Sequence, residues 1–108
     1  MNWIILLIGV AARELKSMPP DIQASFQHIA LMLQEFGPQR VGMPNVRHLD
    51  GKLWEMRLRG RDGIARAIYF AASGRSLVVV RVFAKKTGAT PRPELALARQ
   101  RMESFSHG

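Results

Sequence analysis

A chain of 108 residues that is 47% apolar is long enough for one domain with one modest core, and too apolar for a disordered tail. It has no cysteine, which excludes a disulfide framework, a thiolate zinc site and a cysteine nucleophile. Sixteen Lys and Arg against eight Asp and Glu give a net charge of +8, and ten of the sixteen lie between Arg47 and Lys86, opposed only by Asp50, Glu55 and Asp62. The first 46 residues are neutral, so the charge sits in one stretch and points to a phosphate-rich partner, RNA or DNA before others.

In chain order, Trp3–Ile8 reads as a buried strand. At six residues it is far short of the roughly 20 needed to span a bilayer, and no basic residue precedes it as in a signal peptide. A cytoplasmic protein without membrane contact is the expectation. Val10–Met18 reads as a short helix stopped by Pro19-Pro20. A second helix runs to Phe36, with Asp21 suiting the positive end of its dipole. Its apolar residues Ile22, Phe26, Ile29, Leu33 and Phe36 fall on one helical stripe. Gly37-Pro38 stops it, and the Gly- and Pro-rich residues 37–51 read as a loop.

Lys52–Arg59 alternates, with Trp54, Met56 and Leu58 on one side and Glu55, Arg57 and Arg59 on the other. Gly60–Gly63 is a hairpin turn, Ile64–Ala71 the next strand, Ser73–Arg75 the next turn and Leu77–Ala84 a last strand. A final helix opens after Pro93, with Leu95, Ala98 and Met102 on one face. The order is β-α-α-β-β-β-α in one domain over 1–108. The class is α+β, with two N-terminal helices packed on a small twisted antiparallel sheet and the basic residues on its other face and edges.

His28, His48 and His107 are too scattered for metal spacing, and the carboxylates do not cluster, so neither a metal nor a cofactor is expected. Glu55 has the chemistry of a general base, but reads better as the partner of a neighbouring Arg on its strand face. The basic set remains. Arg57 and Arg59 project from one face; Arg66 and Arg81 sit mid-strand among aliphatics; Lys85-Lys86 follow the last strand. A mid-strand Arg among aliphatics must reach water, a carboxylate or a ligand phosphate. On its strand Arg66 shares a face with Ile64, Ile68 and Phe70, so that side is not cleanly polar.

The stretch from His48 to Arg99 resembles the phage-derived branch of the HigB/RelE toxin family. The resemblance is carried by Gly51–Arg57 (GKLWEMR), by the Ala65-Arg66 step and by Phe83 to Pro91 (FAKKTGATP), with Met18-Pro19-Pro20-Asp21 similar to the segment before the long helix of that family. It implies a RelE/ParE-like fold and a ribosome-dependent endoribonuclease, the toxin of a type II toxin-antitoxin system. Such a toxin enters the ribosomal A site, cuts mRNA without metal, and is held by a HigA-like helix-turn-helix antitoxin in a toxin–antitoxin oligomer. Arg81 stands where the family often has His, and Gly88 and Ala89 replace a polar and a basic side chain.

Metal-free cleavage runs through attack of a ribose 2′-OH on the adjacent phosphorus, and needs a base, cations for the phosphorane and an acid. Lys85 or Lys86, its pKa lowered by Arg66 and Arg81, is the candidate base, and Arg66 and Arg81 are the candidate phosphorane ligands. Lys52, Arg57, Arg59 and Arg61 are expected on the RNA backbone. Tyr69 is expected either to stack on a base or supply a proton, or to fill the core; Trp54 reads as core. Two other readings fit the same residues: a same-fold toxin acting on a protein such as gyrase, and a non-catalytic nucleic-acid-binding phage-derived protein.

Overall fold

The computed structural model describes residues 2–86 and 88–107. The elements are β1 (Ile4–Leu7), α1 (Gly9–Lys16), α2 (Pro20–Phe36), β2 (Val46–Asp50), β3 (Leu53–Arg59), β4 (Ile64–Ala72), β5 (Ser76–Lys85) and α3 (Arg92–His107). They build one five-stranded sheet in the order β1-β5-β4-β3-β2. The pairs β2–β3, β3–β4 and β4–β5 are antiparallel, while β1 runs parallel to β5. The class is α+β as expected, with one strand more than the sequence reading gave.

That strand is β2, inside the segment read as a loop. Its signal was Asp50-Gly51, a dipeptide suited to a two-residue hairpin. Gly51 adopts φ 56° in the turn that joins β2 to β3, a conformation that favours glycine. α1 ends at Lys16 rather than Met18, because a residue before proline is pushed out of helical geometry. α2 starts on Pro20 and stops at Gly37, where φ is 84°.

α1 and α2 cover one face of the sheet. Ala11, Ile22, Phe26, Ile29 and Leu33 pack there on Met56, Leu58, Ala65, Ala67, Tyr69, Leu77, Val79 and Val82. Phe36 lies off the buried stripe, half exposed. The other face is not left entirely to the basic residues. α3 lays Leu95, Ala98 and Met102 on Leu53, Ile68, Phe70, Val78 and Val80, and so covers part of it. β1 is an edge strand, with Ile4 and Leu6 exposed rather than buried.

β5 contains a bulge. Tyr69 pairs with Val79 and Ile68 with Arg81, so Val80 is the extra residue. Up to Val79 the odd-numbered residues of β5 lie under α1 and α2. Beyond the bulge Arg81, Phe83 and Lys85 pair with Ile68, Arg66 and Ile64 on the opposite face. Lys85 shares a face with Arg66 only because of this one residue.

Tyr69 is 1% exposed beneath the helices, and its hydroxyl has no hydrogen-bond partner among the described residues. Burial raises its pKa above the ordinary value. An unsatisfied buried hydroxyl costs free energy that a phenyl ring would not. Tyr69→Phe is therefore expected to raise stability by about 1 kcal/mol in thermal or denaturant unfolding, and a clear loss would show that the hydroxyl has a partner.

Candidate functional site

Three cross-strand rows bring the basic residues together on the face shared with α3. Arg47, Glu55, Ile68 and Arg81 form the first; Arg57, Arg66 and Phe83 the second; Arg59, Ile64 and Lys85 the third. Arg57 and Arg66 are direct partners, an arrangement that is destabilising for like charges. Glu55 offsets it from the adjoining row. Its Oε2 accepts a hydrogen bond from Arg57 Nη1 at 3.1 Å and lies 3.6 Å from Arg66 Nε. Its Oε1 accepts one from Thr90 Oγ1 at 2.6 Å, which ties the segment between β5 and α3 to the strand.

Glu55 is 2% exposed and Arg66 4%. Arg66 Nη1 donates to the Ala65 carbonyl at 3.0 Å, while Arg57 Nε and Arg66 Nε are buried without a hydrogen bond among the described residues. Burial, then Arg57, lowers the pKa of Arg66, though an arginine keeps its charge in any protein setting. Burial, then the Arg66 charge, also lowers that of Lys85 below its ordinary value; Glu55 opposes the shift. Lys85 Nζ donates to the Gly88 carbonyl. Arg57, Arg66 and Lys85 thus form one cationic group around a single buried carboxylate.

The other candidates lie elsewhere. Arg81 faces the same side, but each of its three nitrogens already donates to a carboxylate. Nε and Nη2 bind the Glu94 carboxylate at 2.6 and 3.1 Å, and Nη1 binds Glu14 at 2.6 Å. Arg101 also binds Glu14, at 2.9 and 3.0 Å. Arg81 is thus a clamp joining α1, β5 and α3 rather than a free phosphate ligand, and its hydrogen bonds to the two carboxylates outweigh burial and raise its pKa. Lys86 is exposed just past β5, and Thr87 of the lysine motif lies outside the described residues. Tyr69, under the helices on the opposite face, cannot stack on a base.

Arg59 and Arg61 are exposed at the end of β3 nearest Lys85, their backbone N–H groups held by Ser25 Oγ at 3.1 Å and Asp21 Oδ2 at 2.5 Å. Lys52 is at the other end of β3, beside a cavity lined by Phe70, Met102 and Phe105. Arg47, on the strand not expected from sequence, is exposed in the Glu55 row and is the basic residue the site assignment missed.

His28 is exposed on α2. His48, expected in a loop, is on β2, where its Nε2 pairs with the Gly51 carbonyl at 2.8 Å and its ring meets Trp54 edge-on. Trp54 is 38% exposed rather than core. The backbone of His107 closes α3. No group of three or more potential metal ligands occurs among the described residues, and no helix there is long and apolar enough to cross a membrane.

The model of the phage-derived protein Gp49-like family (DUF891) matches residues 13–103. No curated protein matches the sequence. Among solved structures, the fold is similar to that of a double-arginine mutant of the E. coli toxin RelE in the free state. The TM-score is 0.68 at 17% identity, over 94% of this chain and 99% of that one. It is also similar to the RelE–RelB complex of Pyrococcus horikoshii OT3, with TM-score 0.60 at 20% identity, over 82% of this chain and all of that one. The phage-derived family read from the sequence is thus found, and the fold is the one the resemblance implied.

Folded Lys85 releases its proton more readily than the unfolded chain does. Stability drawn from this residue thus rises with pH over the window just below 10.5. In a carbon-13 NMR titration of its Cε, Lys85 is expected to titrate below 10.5 and to move back upward in Arg66→Ala; an unchanged curve in that variant would mean that the two charges are not coupled.

Proposed function

This chain belongs to the phage-derived Gp49-like family, and from that membership and the geometry of its basic face we propose that it is the toxin of a type II toxin–antitoxin pair, a ribosome-dependent endoribonuclease that cuts mRNA. The observation that carries the reading is the convergence of Arg57, Arg66 and Lys85 on one face, with a lysine whose proton is loosened. A surface built only for solubility has no need to bury an arginine to 4% exposure against a second arginine.

In the proposed reaction Lys85, in its neutral form, takes the proton of a ribose 2′-OH as that oxygen attacks the adjacent phosphorus. Arg66 and Arg57 hold the phosphorane oxygens. The bond from phosphorus to the 5′ oxygen breaks, and that oxygen leaves with a proton from water. The products are a 2′,3′-cyclic phosphate and a 5′-OH. Arg47, Arg59, Arg61 and Lys86 supply backbone contacts around the cut. Lys52 would contact RNA separately, since the seven residues of β3 place it roughly 20 Å along the strand from Arg59. Arg81 keeps α3 and α1 in place and touches no RNA.

The archaeal structure of similar fold was solved as a RelE–RelB complex, which supports a protein antitoxin as the partner of this chain. A helix-turn-helix antitoxin of the HigA kind, acidic where it meets this face, would neutralise the +8 charge and close the site. The test is cleavage on translating ribosomes read by primer extension. Arg66→Ala and Lys85→Ala are each expected to slow cutting by about a hundredfold or more. Undiminished cutting by both variants would remove this site. Binding of RNA without cutting by the unaltered protein would favour a non-catalytic role, and filamentation with DNA damage a gyrase-type target.

A further inference from the structure

Among the described residues Glu55 is the one buried carboxylate of the basic face, and the proposed reaction gives it no step. It is 2% exposed, and both of its oxygens are engaged. Those bonds, from Arg57 and Thr90, set aside the role of general base. Its contacts are instead with everything that surrounds the proposed phosphate position. Through Oε2 it holds Arg57 and lies against Arg66, the two like charges that the β3–β4 register sets opposite one another. Through Oε1 it holds Thr90. Two residues before Thr90 is Gly88, whose carbonyl receives the Lys85 ammonium. One carboxylate therefore connects both arginines directly, and the lysine by way of a short loop.

We infer that Glu55 is a positioning residue that fixes Arg57, Arg66 and the Gly88–Thr90 segment as one rigid cationic cradle. The inference rests on the proposed phosphate site and deepens it: the cradle is ordered before RNA arrives. The physical logic is preorganisation. Without the carboxylate, Arg57 and Arg66 repel, and each long side chain regains rotamers that must be lost again when phosphate binds. Arg66 Nε, already short of a hydrogen bond, would also lose its only counter-charge in the buried layer. The loop would lose its pin on β3, and with it the fixed position of Lys85.

The sign of the effect separates positioning from simple charge. Removing a negative charge beside a phosphate site should tighten phosphate binding if Glu55 does no more than lower the local potential. Positioning requires the reverse. Glu55→Gln keeps the shape and a hydrogen-bond partner for Thr90 but drops the charge. Thr90→Val removes the loop pin and leaves the arginines their carboxylate. The probe is inorganic phosphate, followed through the nitrogen-15 resonances of the arginine Nε groups and of the Gly88 and Ala89 amides. In Glu55→Gln the Arg57 and Arg66 signals are expected to broaden and phosphate affinity to weaken about tenfold, despite the more positive site. In Thr90→Val the Gly88 and Ala89 amides are expected to gain mobility while the arginine signals hold. On ribosomes, Glu55→Gln should lower the cleavage rate at saturation about a hundredfold with little change in half-saturation. Unchanged or tighter phosphate binding with sharp arginine signals in Glu55→Gln would overturn the inference. So would an unaltered loop in Thr90→Val, which decides the matter if Glu55→Gln does not fold. Should the unaltered protein fail to cut RNA at all, the ribonuclease reading falls, while the phosphate and resonance results still decide the role of Glu55.

Discussion

One extra residue in β5 decides which face of the sheet carries Arg81, Phe83 and Lys85. Strand residues alternate between faces, so a regular β5 that buries Leu77 and Val79 under α1 and α2 would also turn Arg81, Phe83 and Lys85 towards those helices. Two of the three are charged, and that layer holds a packed core of Ile29, Leu33 and Tyr69. Val80 breaks the alternation, and the three side chains emerge beside Arg66 and Ile68 instead. Both the arginine that clamps α3 and the lysine that meets Arg66 depend on it.

The charge collected on that face is held in place by few carboxylates, and two of them, Glu14 and Glu55, are each committed to more than one partner. Glu14 and Glu94 share Arg81 between them, and Glu14 also takes Arg101, so that α1, β5 and α3 are joined by one ionic network. Each of these groups is partly shielded from water, where breaking one partner leaves its counterpart uncompensated. Glu55 does the same for Arg57 and Arg66. After these pairings Arg47, Arg59, Arg61 and Lys86 remain exposed around the cradle. A net charge of +8 is thereby divided into a structural share that holds the helices and a share turned outward to solvent.

Local periodicity made much of this legible in the sequence. The α2 stripe, the alternation of β3 and the turns at Gly60–Gly63 and Ser73–Arg75 each follow from neighbouring residues, and the structure has them. The pairing of Glu55 with a neighbouring arginine also followed from strand parity. Tyr69 was open in the sequence between meeting RNA and filling the core, and the structure buries it under α1 and α2. β2 was hidden because Gly and Pro before it mask a five-residue strand whose one clear signal is Asp50-Gly51. The role of Arg81 was not legible at all. Its partner Glu14 is 67 residues away, and the run of valines around it gives no sign of where a bulge falls. Long-range ion pairs have no local signature, so an arginine that serves the fold and one that serves a ligand read alike.

The role proposed for the cationic cradle is to promote attack of a ribose 2′-OH on the adjacent phosphodiester. Its most direct test is the chemistry of the ends left on an mRNA cut by the purified protein on programmed ribosomes. A 2′,3′-cyclic phosphate on the upstream fragment and a 5′-hydroxyl on the downstream one are expected. Fragments ending in a 3′-hydroxyl and a 5′-phosphate, or a message left intact, would contradict it.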